Sequence, residues 1–167
     1  LADLLAGSNG ATAGRFVAAH AVMLAVQGIP ALYVHSMLVS PGEVDAVAAS
    51  GHNRAINRGQ VTVDQANSRL ASGWRADVFR EITGLIRLRR SLPAFAPEAA
   101  QTIHVLDNRV VAIERRTTSD MVFAVHNVSD QAVTVTVPDG FGLHDLLTDR
   151  RVDQELTLGP WQAAWLV

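Results

Sequence analysis

The pattern of hydrophobic positions changes period along this chain. Residues 14–27, "GRFVAAHAVMLAVQ", are alanine-rich and apolar on nearly every face, which predicts a helix covered on most sides. Gly28 stops it, and Pro30 opens the extended run "IPALYVHSML". Its near-continuous hydrophobicity predicts a strand buried on both faces, as in a parallel sheet. Residues 39–73 are more polar, with short helix-like pieces near 43–49 and 63–70, the second capped by Thr62 or Asp64. In "WRADVFREITGLIRLRRSL", residues 74–92, the positions Val78, Phe79, Ile82, Leu85, Ile86 and Leu88 form an apolar stripe, and the arginines take the other side. Pro93 ends this helix.

After the linker "PAFAPEAA" the period becomes two. Short runs, "TIHVL", "VVAIERR", "MVFAVHN", "AVTVTV", "LHDLL" and "QAAWLV", alternate with turn residues such as Asp107-Asn108, Ser129-Asp130 and Pro138-Asp139-Gly140. Spacing of about ten residues per strand predicts an antiparallel sandwich or meander. The expected organisation is an α/β segment over residues 1–95, then a β-sheet domain over 100–167. A single parallel strand with its helices cannot bury itself, because such a sheet needs neighbours on both sides. Residues 1–92 therefore predict association, with a missing remainder of the fold or with a second copy of the chain.

Composition narrows the function classes. The chain has 167 residues, 49% of them hydrophobic, enough for a core, and a formal net charge of −2 that argues against nucleic acid or an anionic membrane as partner. There is no cysteine, so disulfides, thiolate nucleophiles and thiolate metal sites are excluded; a cytoplasmic location is the expectation. The apolar run from Phe16 to Val39 is interrupted by His20, Gln27 and His35 and broken at Gly28-Ile29-Pro30, so it reads as helix and strand, not as a membrane span. The chain begins with Leu1 and shows no signal peptide, which is read as truncation or processing.

One stretch concentrates polar chemistry. In "GHNRAINRGQ", residues 51–60, Arg54 and Arg58 stand four residues apart beside His52, Asn53 and Asn57, and His35 ends the preceding apolar run. Guanidinium offers a rigid fork of donors suited to vicinal hydroxyls, carboxylates or phosphate. The same arginines also fit a solvated face, and His35 also fits a hydrogen-bonded core histidine. Glu43 and Asp45 stand at a helix start, where acidic side chains favour the dipole. His20 and His126 have no metal-ligand spacing, and Trp74, Trp161 and Trp165 fit packing positions. No catalytic residue, metal site or cofactor is assigned.

"GIPALYVHSML" followed by a loop with "GHNRAINR" resembles glycoside hydrolase family 13, the α-amylase family, and within it the sucrose phosphorylase group. That group has a comparable GxPxxYxHS strand, a loop with R-x-I-N-R, and a helix ending in an arginine-rich turn and PAF, here "LIRLRRSLPAF"; "HNVSDQAV" also resembles its C-terminal domain. The resemblance implies the last part of a (β/α)8 TIM barrel (helix 7, strand 8, long loop, helix 8) followed by a small antiparallel β-sandwich. It implies a retaining glucosyl transfer from sucrose or a related glucoside to inorganic phosphate, through a carboxylate nucleophile and a carboxylic acid/base. No segment here matches the motifs of those carboxylates, so the chain by itself is expected to be inactive. Arg54 matches the family position that holds the glucosyl unit, and His52 and Arg58 are placed for acceptor or phosphate contact, with His35 at the end of the barrel strand. An α-glucosidase or amylase-type hydrolase, and a non-catalytic β-module for packing or carbohydrate binding, are the alternative readings.

Overall fold

A computed structural model describes residues 2–7, 10 and 12–167. Its helices are α1 (Ala2–Ala6), α2 (Ala13–Ala25), α3 (Val34–Met37), α4 (Val44–Ser50), α5 (Val63–Ala71) and α6 (Trp74–Ser91), with 3-10 turns at Asn53–Asn57 and Pro93–Phe95. Eight strands follow: β1 (Ala100–His104), β2 (Val110–Arg116), β3 (Met121–Asn127), β4 (Val133–Thr136), β5 (His144–Asp145), β6 (Arg150–Arg151), β7 (Glu155–Leu158) and β8 (Ala163–Leu166). The described residues form two compact units, Leu1–Phe16 with Ala31–Ile82, and Val17–Pro30 with Thr83–Val167. The division falls inside α2 and α6, not at residues 93–100 where the sequence changes period.

In the first unit the long middle segment is helical in pieces. Thr62 caps α5: its hydroxyl accepts from the Gln65 N–H at 3.2 Å, while the Gln65 side chain accepts from the Thr62 N–H at 3.0 Å. This reciprocal capping box satisfies two otherwise free donors and decides between the two expected caps. α4 ends at Gly51, which adopts φ +68, a left-handed conformation that favours glycine. The strand expected over "IPALYVHSML" is absent among the described residues. An extended segment becomes a strand only when its N–H and C=O groups pair with a neighbour. Here Tyr33 is extended (φ −77, ψ 137) but unpaired in any sheet, and it leads into the single helical turn α3. Nor is the segment buried on both faces: Ile29 is 83% exposed, and Tyr33 and Val34 are exposed too.

The second unit has three layers. The six-stranded sheet runs in the order β1-β2-β3-β8-β5-β6, and β4 pairs with β7 in a separate two-stranded sheet. All pairings are antiparallel. On one face Val110, Ala112, Phe123, Val125, Ala164 and Leu166 pack with Val133, Val135, Leu156 and Leu158 of the small sheet, making an antiparallel sandwich core. β7 was not among the runs read as strands. Its alternation of exposed Glu155 and Thr157 with buried Leu156 and Leu158 carries the period-2 signal in only four residues.

The other face of the large sheet is buried as well. Residues 122–127 of β3 are all buried, so this strand reads as a continuous run where a one-sided sheet would alternate. The register places Ile113 opposite Ala124, Arg115 opposite Val122 and Trp165 opposite Ala124, all on the face away from the small sheet. The cover is the 93–95 turn and the C-terminal half of α2. Phe95 packs on Trp165 with ring centroids 4.7 Å apart. Arg115 is fully buried in β2 and donates to the carbonyls of Ala25 (3.2 Å), Ala96 (2.8 Å) and Ala99 (3.2 Å).

Arg89 departs from the expected polar side of α6. It is buried, and it donates to the carbonyls of Leu24, Gly28 (2.8 Å) and Phe95 (3.2 Å). Burial lowers the pKa of both guanidiniums from the ordinary arginine value, and the charge of Arg89 adds to the effect at Arg115. Each stands near the Phe95 ring, at 5.3 Å and 5.8 Å, a favourable placement for a cation on a π face.

His126 is fully buried behind the same face. Its Nδ1–H donates to the Val111 carbonyl (3.1 Å), and its Nε2 accepts from the Trp165 indole N–H (3.3 Å). Burial drops its pKa from 6.5 to about 4, against the opposing effect of its backbone hydrogen bonds. Below 6.5 the unfolded chain takes up a proton that the folded chain refuses, so stability falls as pH drops from about 6.5 toward 4.

Two outcomes follow from this layer. Arg115→Met removes the donor to the buried Ala25 carbonyl, while the Ala96 and Ala99 carbonyls keep the Ala99 N–H and the Gln27 amide; it should lower the unfolding free energy by about 1–3 kcal/mol, whereas exposed Arg116→Met should cost under about 1 kcal/mol. Urea unfolding of both variants at pH 7 measures this, and equal effects would refute the clip. His126→Gln should flatten the loss of stability expected for the parent between pH 7 and pH 5, because it removes a buried neutral imidazole; urea unfolding at both pH values measures it.

Candidate functional site

The arginine stretch folds within the first unit. After Gly51 reverses the chain, His52 is extended (φ −109, ψ 116) and residues Asn53–Asn57 make the 3-10 turn, with Arg58 at its end. Two bonds anchor it. The Glu43 N–H donates to the Ile56 carbonyl at 3.0 Å, and the Tyr33 hydroxyl donates to the Asn57 carbonyl at 2.7 Å. Gly59 then passes so close to Glu43 that a Cβ there would lie 2.5 Å from its carboxylate oxygen. The loop is therefore held by its neighbours, while its arginines stay outside.

His52, Arg54 and Arg58 line one open concavity with Ala46, Ser50, Asn53 and Ala55. All three side chains are exposed. Among the described residues neither Arg54 nor Arg58 forms an ion pair. This arrangement presents two guanidinium forks and an imidazole to solvent from one short turn, which is a donor set for an anion or a polyol. A carboxylate that would act as nucleophile or acid/base is not among the residues lining it.

His35 lies apart from that concavity. It lines a smaller pocket with Tyr33, Ser36, Ser40, Pro41, Gly42, Ile56, Asn57 and Gly59. Its Nδ1 is 3.0 Å from the Ser40 hydroxyl, whose oxygen also accepts from Arg69 at 3.2 Å. The two pockets are neighbours in the chain through Ile56 and Asn57, which belong to the arginine turn and line the His35 side. So the structure brings His52, Arg54 and Arg58 together and sets His35 behind them.

Tyr33, Ser40 and Arg69 were not foreseen as site residues. Tyr33 had a signal, since it stands in the "GIPALYVHS" pattern; Ser40 and Arg69 lie 29 residues apart in sequence and carried none. The other sequence readings resolve as packing. Trp165 is fully buried, Trp74 carries the Arg75 guanidinium over its ring at 4.4 Å, and His20 and His126 are buried. Asp45 sits in the first turn of α4, while Glu43 occupies the N-cap without a side-chain capping bond. Among the described residues there is no group of three His, Cys, Asp or Glu placed to hold a metal, and no helix long and apolar enough to cross a membrane.

Comparison with known proteins places the chain. No family model matches it. It is 33% identical over 156 residues to the glucosylglycerate phosphorylase of Escherichia coli (strain K12), covering 91% of this chain and 28% of that protein. It is 31% identical over 163 residues to the glucosylglycerate phosphorylase of Allomeiothermus silvanus, covering 92% and 27%. These relatives are proteins of glycoside hydrolase family 13. The chain corresponds to the C-terminal portion of such proteins and spans just over a quarter of the length of these relatives.

Solved structures share the fold. AmyP in complex with maltotriose matches with a TM-score of 0.66 at 20% identity, over 92% of this chain and 34% of AmyP. The trehalulose synthase MutB in complex with Tris matches with a TM-score of 0.67 at 16% identity, over 92% and 38%. At these identities the likeness concerns the fold alone. The R-x-I-N-R stretch, residues 54–58, forms a 3-10 turn with both arginines exposed.

Tyr33→Phe removes one of the two anchors of that turn. Amide exchange over residues 53–59 should speed up about fivefold, the equivalent of one hydrogen bond of about 1 kcal/mol. Exchange unchanged in this segment would mean that the Glu43 anchor suffices.

Proposed function

We propose that this chain is the C-terminal portion of a retaining α-glucoside phosphorylase, in which it supplies the arginine side of the substrate site. The observation that carries the reading is the convergence of His52, Arg54 and Arg58 on one concavity within a chain whose curated relatives are glucosylglycerate phosphorylases. The substrate this favours is a glucoside of an acidic acceptor, exchanged against inorganic phosphate. Phosphate and a carboxylate are both oxyanions that a guanidinium fork recognises in bidentate fashion. Arg54 holds the glucosyl unit, and Arg58 and His52 meet the anion.

In this reading the catalytic carboxylates belong to the portion of the fold outside residues 1–167, and residues 30–39 become the eighth strand of a barrel when sheet neighbours stand on either side. Exposed Tyr33, Val34 and Val44 of the first unit are apolar residues such neighbours would bury. The nucleophile would form a glucosyl-enzyme bond as the acceptor oxygen leaves with the proton of the acid/base; phosphate oxygen would then attack the same carbon and free the carboxylate.

The test is release of glucose 1-phosphate by the enzyme that carries this chain, from glucosylglycerate or sucrose, with and without phosphate. Phosphate-dependent product from glucosylglycerate supports the reading; free glucose without phosphate means a hydrolase. Arg54→Ala should lower kcat/KM by about 30- to 1,000-fold, the worth of one well-placed charged contact of about 2–4 kcal/mol. A loss under fivefold would remove Arg54 from the site.

A further inference from the structure

We propose that Ser40 and Arg69 are positioning residues that hold His35 as the Nε2–H tautomer, a hydrogen-bond donor to an oxygen of the glucoside. The ligand half of this inference rests on the phosphorylase reading; the tautomer half stands on geometry alone. Arg69 Nη1 lies 3.2 Å from Ser40 Oγ, and Ser40 Oγ lies 3.0 Å from His35 Nδ1. A guanidinium only donates, so the Ser40 oxygen accepts from Arg69. A hydroxyl has one proton, and the remaining partner in the chain of three is His35 Nδ1. Directing the proton there gives every group a match: Arg69 donates to Ser40, and Ser40 donates to His35. The opposite tautomer would aim two donors at the Ser40 oxygen and leave the hydroxyl proton without a place in the triad. Nδ1 therefore accepts, and the neutral ring carries its hydrogen on Nε2.

The elements explain why three distant residues meet. Ser40 follows the buried Val39, which adopts φ +47, an uncommon conformation for a β-branched residue. The Val39 carbonyl is held by Arg75 Nε at 3.2 Å. Arg69 comes from the last turn of α5, whose start is fixed by the Thr62 capping box. Tyr33 lies against the His35 ring, with centroids 5.2 Å apart, and its hydroxyl is tied to Asn57. His35 is thus held from both sides, beside a cavity of about 40 Å³. That is room for a few waters, or for one ligand oxygen and its carbon. The cavity borders the arginine turn through Ile56 and Asn57, so a glucoside held by Arg54 has a second, neutral donor within the same loop system.

Two measurements test this. Long-range proton–nitrogen NMR of the histidine rings in the full 167-residue chain, at about pH 8 where an ordinary imidazole is neutral, reads the tautomer; His35→Gln assigns the signal. The expected pattern is an unprotonated Nδ1 and a protonated Nε2 at His35, lost to a mixture in Ser40→Ala and in Arg69→Met, and kept in Ser40→Thr, which retains a hydroxyl. A protonated Nδ1 in the parent, or an unchanged pattern in Ser40→Ala, overturns the positioning. In the enzyme that carries the chain, Ser40→Ala should raise KM for the glucoside about fivefold or more, and more than it lowers kcat, with Ser40→Thr restoring it. An unchanged KM overturns the ligand contact. The expected ring pattern in an enzyme without phosphorolysis supports the positioning and sinks the reaction instead.

Discussion

The last turn of α2 ends inside the second unit, where its free carbonyls have no water to meet. A helix leaves its final carbonyls without intrahelical partners, and a buried acceptor left unpaired costs about 1–3 kcal/mol. Arg89 and Arg115 resolve this together by donating to Leu24, Ala25 and Gly28 on the helix side and to Phe95, Ala96 and Ala99 on the turn side. Two cations at a helix C-terminus also sit in the favourable end of its dipole. Among the described residues neither guanidinium forms an ion pair, so their charge is offset by carbonyl dipoles and by the Phe95 ring. The clip turns a helix end and a proline-rich turn into a lid for the large sheet.

With that lid in place the rest of the second unit follows. β3 can be buried on both faces, Trp165 can be fully buried against Phe95, and the indole N–H, which needs an acceptor when buried, finds His126 Nε2. His126 must then be neutral, because a charged imidazole in this position would lose the acceptor and face desolvation. The price of the arrangement is acid sensitivity, since burial holds His126 neutral and protonation would cost the indole its acceptor.

The first unit is built on a different principle. Its arginine loop is held by single hydrogen bonds from Tyr33 and Glu43, a capped helix and a glycine in the left-handed region, not by a thick core. Such a loop can present charged side chains outward because its own backbone is satisfied locally. Loops positioned this way on a rigid frame are where binding residues concentrate. The exposed arginines are consistent with that use, and so is the small cavity behind them.

Much of this was determined by the sequence. An apolar stripe at period 3.6 placed α6, an all-round apolar run placed α2, and short β-type runs between turn residues placed β2 and β3, because each pattern follows from the backbone geometry and burial of its element. The R-x-I-N-R pattern located the arginine turn, since a short motif brings its own residues together. Tertiary structure decided the rest. Whether "IPALYVHSML" is a strand depends on partners that periodicity cannot supply, and the described residues supply none. Arg89 and Arg115 look like solvated charges in sequence, yet carbonyls from α2 and the 93–99 turn make burial the better state. The His35–Ser40–Arg69 line joins three separated segments, and no local pattern encodes a contact that exists only once α5 and the 35–40 turn have packed.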